Sequence, residues 1–147
     1  MKLSTRTRYG TRALLELALR NDDTPVFLKD IAKQQGISLA YLEQLMSPLV
    51  AGGIIRSTKG PRGGVALARP PEEINLSEVT SLLEGSLGPV ECVTNAGTCD
   101  RAGSCVTRDI WGKLREVMDN YLGSVTLRDL VERQRSMDDS GSSMYSI

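Results

Sequence analysis

The chain has 147 residues, no histidine and three cysteines, and its 18 Lys and Arg equal its 18 Asp and Glu, so the formal net charge is zero. That length allows one compact domain with an extension; an odd cysteine count excludes a disulfide scaffold, no run approaches the roughly 18 apolar residues of a membrane span, and the polar opening MKLSTRTRYG lacks a secretory signal, so a cytoplasmic protein with no membrane partner is expected. The zero conceals a split, since residues 1–69 carry 11 basic and 5 acidic side chains while residues 70–147 carry 7 and 13, a pattern suggesting a polyanion-binding module joined to an acidic region.

From Thr5 to Arg20 the apolar set Tyr9, Ala13, Leu14, Leu17 and Ala18 recurs at three- and four-residue spacing, predicting an amphipathic helix flanked by Arg6, Arg8 and Arg12. Two short helical patterns follow, broken at Gly36, the second opened by Ser38 as N-cap and closed by Gly52 and Gly53. The runs IIRS and VALA, separated by TKGPRGG, predict a hairpin with a basic tip. Asn75 and Glu78 form a capping-box pattern at the start of a short helix, with Ile74 placed as a hydrophobic staple. A cysteine-containing loop runs from about Gly85 to Cys105. Beyond it Ile110, Leu114, Val117, Met118, Tyr121 and Leu122 make a broad apolar stripe with Trp111 beside it, then TLRDLVERQR begins another helix, and DDSGSSMYSI is expected to be disordered.

Ala32, Gly36 four residues later and Leu42 six beyond meet the demands of a helix-turn-helix: a small packing residue, a turn residue that tolerates positive φ, and a buried apolar anchor. A basic helix before the pair and a glycine-rich basic hairpin after it complete the winged-helix order. In that arrangement Ser38, Ala40, Tyr41, Glu43 and Gln44 occupy the first turns of the recognition helix. Gln44 suits adenine and Tyr41 a phosphate, while Glu43 accepts from a cytosine amine and filters sites that lack one. On the wing, Lys59, Pro61, Arg62 and Gly63 face the DNA, the two cations neutralising phosphates.

Cys92, Cys99 and Cys105 stand as C-x6-C-x5-C. Structural zinc prefers close pairs and four ligands, so a zinc site is disfavoured. An iron-sulfur cluster, a thiol switch at Cys99 or Cys105, and three unrelated cysteines all remain open.

Taken together, MKLSTRTRYG, DIAKQQGISLAYLEQLMSPLVAGGIIRSTKGPRGGVALARP, the cysteine loop and CVTRDIW resemble the IscR-like iron-sulfur cluster regulators, a family of dimeric winged-helix transcription factors. The likeness spans about residues 1–135, and GISLAYLEQL is its most specific stretch. It implies that Cys92, Cys99 and Cys105 ligate an iron-sulfur cluster, 2Fe-2S ahead of 4Fe-4S, and that the recognition-helix and wing residues above contact double-stranded DNA. It also ties the position of Glu43 to discrimination between operator classes. Three departures stand out: Arg108 occupies the family's histidine ligand position, one residue is added between the first two cysteines, and Ala40 replaces a serine. A guanidinium cannot ligate iron. The fourth ligand is then Asp109, Asp100 or Glu91, an external or partner group, or none, as on a 4Fe-4S cluster with one open iron.

The expected fold is mainly α with a small β-hairpin. It comprises a winged helix-turn-helix domain over 1–70, a linking helix and cluster loop over 71–105, a long dimerisation helix with a terminal helix over 106–136, and a disordered tail over 137–147. The expected function is a cluster-sensing regulator, mainly a repressor, acting on pseudo-palindromic operators as a homodimer. A thiol-redox or cysteine-metabolism sensor on the same fold is the alternative. With no histidine for acid-base work and no convergent nucleophile motif, an enzyme is not expected.

Overall fold

A computed structural model describes the backbone of residues 2–20 and 22–145, with side chains to residue 141. The chain opens with α1 (Thr5–Leu19), whose N-cap Ser4 accepts from the Thr7 N–H. Then come α2 (Leu28–Gln35) and α3 (Leu39–Ala51). Gly36 takes φ 66° between them, and its N–H caps the open carbonyls at the end of α2, the left-handed turn the sequence requires there. At the end of α3 the roles of the two glycines separate. Gly52 stays helical and Gly53 alone turns left-handed, at φ 74°.

Strands β1 (Ile55–Thr58) and β2 (Gly64–Leu67) pair antiparallel, with Ile55 opposite Leu67 and Thr58 opposite Gly64. Val26 adds a short bridge to Val65, its N–H donating to the Val65 carbonyl at 2.8 Å and its carbonyl accepting the Val65 N–H at 2.9 Å. The wing is thereby fixed to the segment that leads into α2. A Cβ on Gly64 would overlap the Val26 backbone, so glycine is what permits this approach.

A 3-10 turn at Pro71–Glu73 leads to α4 (Leu76–Glu84), where both bonds of the Asn75–Glu78 capping box are made. The cysteine segment contains α5 (Glu91–Thr94) and a 3-10 turn at Ala96–Thr98, followed by α6 (Val106–Ser124) and α7 (Leu127–Tyr145). The core gathers Leu14, Ile31, Leu42, Leu45, Leu49, Ile54, Ile55 and Val65 with Ile74, Val79 and Leu83 of the α4 region. Ala32 and Leu42, the helix-turn-helix packing pair, are both buried in it.

After α6, backbone bonds from Leu76 to the Val125 carbonyl and from Leu127 to the Ile74 carbonyl return the chain to the core. Leu127 and Val131 are buried there, and α7 packs against α1. The tail expected to be disordered continues α7 as far as Tyr145. No proline interrupts it, and Gln134 bonds Asp138 one turn on at 2.9 Å, a local pairing that extends a helix beyond its packed turns. Residues 146 and 147 of that expected tail lie outside the described residues.

Helix α6 has no buried residue. Leu114, Met118 and Leu122 are half-buried, and the helix packs against α4. Val106, Ile110, Val117 and Tyr121 are open to solvent, Val117 at 64 %. No helix of the described residues is long and apolar enough to cross a membrane.

Candidate nucleic-acid interface and cysteine loop

The recognition helix is set by its cap. Ser38, in extended conformation, accepts the Tyr41 N–H on its hydroxyl oxygen at 3.1 Å, which leaves its own O–H free to donate. With Leu42, Leu45, Met46 and Leu49 pointing into the core, helical periodicity turns Ala40, Glu43 and Gln44 outward, and all three are exposed. No other charged group forms an ion pair with Glu43 among the described residues. It is free to accept from an incoming donor.

Tyr41 has a different setting from the one its sequence position suggests. It is half-buried, its hydroxyl donates to the Thr5 hydroxyl of α1 at 3.2 Å, and its ring meets Tyr9 edge-on at 6.3 Å between centroids. The Arg12 guanidinium stands 5.4 Å from the Tyr9 centroid. Tyr41 therefore joins the recognition helix to the basic edge of α1. Thr5, Tyr9 and Arg12 are neighbours of this face that sequence reasoning did not select, although the basic flank of α1 was legible. Phe27 and Leu39 were also missed, since apolar residues at helix starts carry no distinctive pattern, and so was Lys29, one exposed cation among several in this half of the chain.

On the wing, Lys59, Pro61 and Arg62 are exposed at the tip, whereas Gly63 is buried in the turn. The Gly63 N–H donates to the Gly60 carbonyl at 2.9 Å, and a Cβ on Gly63 would overlap the Thr58 carbonyl. Gly63 shapes the turn, and the two cations present its charge.

The cysteine segment is locally folded. Asn95 accepts the Gly97 N–H on its side chain at 3.1 Å, and the Thr98 hydroxyl donates to the Asn95 carbonyl at 2.8 Å. Cys92 lies on α5, Cys99 follows the 3-10 turn, and Cys105 is the N-cap of α6. All three are free thiols, Cys99 exposed and the others half-buried. The Cys105 sulfur is 3.1 Å from the Thr107 hydroxyl. That hydrogen bond, with the Arg108 N–H second, holds the Cys105 thiol below its ordinary value.

Arg108, the departure noted in the sequence, has a definite role. Its Nε donates to the Cys92 carbonyl at 3.0 Å and its Nη1 to the Ala102 carbonyl at 3.3 Å. The side chain clamps two parts of the loop onto the start of α6. Among the described residues no three of Cys, Asp and Glu converge as a metal ion would require, and Glu91, Asp100 and Asp109 are exposed. Three thiol donors match the soft-ligand chemistry of an iron-sulfur cluster. Their gathering would have to accompany loading, which is the common case for metal sites coupled to folding.

The loop is also mechanically connected to α1 and to the recognition helix α3. It begins at Gly85, immediately after the last turn of α4. In that turn Leu82 fills the space where a Cβ on Gly52, at the end of α3, would sit, and Leu83 does the same for Gly10 of α1. Glu84 accepts the Ser4 N–H at the start of α1. The Ser4 N–H, then the Ser4 hydroxyl, hold the Glu84 carboxyl below the usual carboxylate range.

The same assembly occurs in known proteins. A family model described as Rrf2, iron-dependent transcriptional regulator, matches residues 3–133. The protein named rrf2 of Nitratidesulfovibrio vulgaris is 46 % identical over 131 residues, covering 89 % of this chain and 87 % of that one. Among solved structures, CymR of B. subtilis superposes with a TM-score of 0.75 at 35 % identity, over 90 % of this chain and 98 % of that one. IscR of T. potens superposes at 0.74 and 35 % identity, over 91 % and 88 %. A winged helix-turn-helix with this loop and long helix behind it, matched across nearly its whole length, places the chain in the Rrf2 family of transcriptional regulators.

Proposed function

We propose that this regulator is a cytoplasmic homodimer that senses iron-sulfur clusters and acts mainly as a repressor at pseudo-palindromic operators, such as those of cluster-assembly genes. The observation that supports this most is the placement of the three-thiol loop. It joins α6 to the α4 turn that holds α1 and α3 through Gly10, Gly52 and Ser4. Cys92, Cys99 and Cys105 would hold the cluster, which would supply a group sensitive to iron supply and oxidants. Arg108 keeps the loop on α6 through the Cys92 and Ala102 carbonyls. Closing the thiols together shifts the start of α6 and the end of α4 relative to the recognition helix. Coupling through such a packed two-state element is worth roughly 1–3 kcal/mol.

The exposed apolar face of α6, with Val106, Ile110, Val117 and Tyr121, supports dimerisation through that helix. A two-fold pair then offers recognition helices about 34 Å apart to two half-sites. Ser38, Ala40, Glu43 and Gln44 face the bases, and Lys59, Pro61 and Arg62 the backbone, with Gly63 and Tyr41 positioning them.

Anaerobic purification tests the reading. The protein is expected to be coloured, with iron and sulfide bound in stoichiometric amounts, and Cys92→Ala to lose both. A colourless protein whose operator affinity responds to peroxide or to a cysteine-metabolism partner would favour the second reading, a thiol-redox regulator. Two observations favour that alternative: the lowered Cys105 thiol, and the likeness to CymR, described as the global cysteine regulator of B. subtilis.

A further inference from the structure

Phe27 is the only phenylalanine in the chain, yet it is 41 % exposed, and Leu39 is 43 % exposed. Isolated surface apolar residues need no explanation, but these two line one groove. It is a space of about 310 Å³ between the start of α3 and the wing, shared with Lys29, Glu43, Ser57 and Thr58. Phe27 also occupies the N-cap of α2 without a side-chain cap bond, where Ser, Thr, Asp or Asn would satisfy the helix better. Local stability does not account for it there.

One cation lines the groove, Lys29, whose ammonium stands 5.3 Å from the Phe27 ring centroid. Lys59 and Arg62 are exposed on the wing tip, next in the chain to Gly60 and Gly63 of the groove wall, and residues 1–69 carry 11 basic against 5 acidic side chains. An apolar floor with Lys29 at its edge and the wing-tip cations beside it suits a DNA strand, with phosphates on the cations and base edges on the floor, where Glu43 offers an acceptor. In the major groove one base edge presents an apolar group, the C5-methyl of thymine.

We propose that Leu39, backed by Phe27, reads a thymine methyl beside the base selected by Glu43. This rests on the DNA-binding reading above. Leu39 is the first residue of α3 and Glu43 lies one turn later on the same face. Four residues rise about 6 Å along a helix, so with base pairs spaced about 3.4 Å the methyl lies within roughly two base pairs of the cytosine that Glu43 accepts from. The pair then specifies two bases from one helical turn, one by a hydrogen bond and one by apolar contact. Cytosine at the methyl position leaves Leu39 facing a gap, so the leucine discriminates between the two pyrimidines.

The test uses the full-length protein, as isolated anaerobically and as apo-protein, on duplexes it selects from a random pool. Each thymine is replaced by uracil, which removes the methyl and nothing else. One thymine per half-site, within two base pairs of a required cytosine, should weaken binding about fourfold on losing its methyl. Leu39→Ala should abolish that difference while still preferring the selected duplex over random DNA. Sequence-preferring binding that is indifferent to every uracil, or methyl dependence that persists in Leu39→Ala, overturns the assignment and leaves the DNA-binding reading standing. Failure to select any sequence overturns both.

Discussion

At the scale of single residues, Arg108 and Glu84 show how a side chain acts through what it holds. A guanidinium in place of a ligand looks in sequence like a loss. In the fold its planar fork bonds the Cys92 and Ala102 carbonyls, a geometry that suits arginine and not lysine. Glu84 is half-buried and caps α1 from another helix. Because its folded-state value is lowered, its stabilising effect is fully present above the unfolded carboxylate value of roughly 4.3 and is lost as pH falls through the lower folded value. Glu84→Gln should therefore lower the melting temperature at pH 7, and thermal scans of the two proteins should converge below about pH 3. A difference undiminished in acid would show that the carboxylate charge is not what holds the Ser4 N–H. Ser38 and the capping box at Asn75 were legible from residue type alone. The partner of Glu84 was not, because Ser4 lies 80 positions away.

At the scale of elements, α4 matters through two adjacent leucines. Leu83 is buried where it fills the space beside Gly10, so Gly10→Val should destabilise by about 1–3 kcal/mol through overpacking. Leu82 is only half-buried and has room to move, so Gly52→Val should cost less stability. Denaturant unfolding of both variants checks the order, and equal losses would remove the distinction. The wing and the recognition helix differ in the kind of binding they contribute. Lys59 is exposed on the wing tip, where a flexible ammonium suits a phosphate, so Lys59→Ala should weaken binding to all duplexes alike and flatten the salt dependence by about one phosphate contact. Gln44→Ala should instead relax preference at one base pair. A titration of each variant against several duplexes at several salt concentrations separates the two. The hairpin and the turn at Gly36 were readable because glycine spacing has few alternatives. That α7 returns to the core was not readable, since the bonds joining Leu76 to Val125 and Leu127 to Ile74 connect segments some fifty residues apart.

For the whole molecule, α6 is the element a single chain leaves incomplete. Its outward residues include Val117 at 64 % and Tyr121 at 59 % exposure, and burying them against a second copy is the simplest gain in apolar contact. Val117→Glu should leave the melting temperature of the subunit nearly unchanged while sedimentation shifts from dimer to monomer and operator affinity falls. A dimer that survives the charge would place the interface elsewhere. Composition, periodicity and glycine spacing by themselves determined the winged helix-turn-helix, the exposed recognition face of α3, the basic wing and the three thiols of one loop. Each of these depends on neighbours a few residues apart, where chain geometry leaves little choice. Only the tertiary structure decided that Tyr41 is tied to Thr5, that Arg108 clamps the loop, and that the last turn of α4 meets both α1 and α3. Those outcomes depend on which distant surfaces pack together, and hydrophobic burial, which drives that packing, has no direction that a local pattern of residues could reveal.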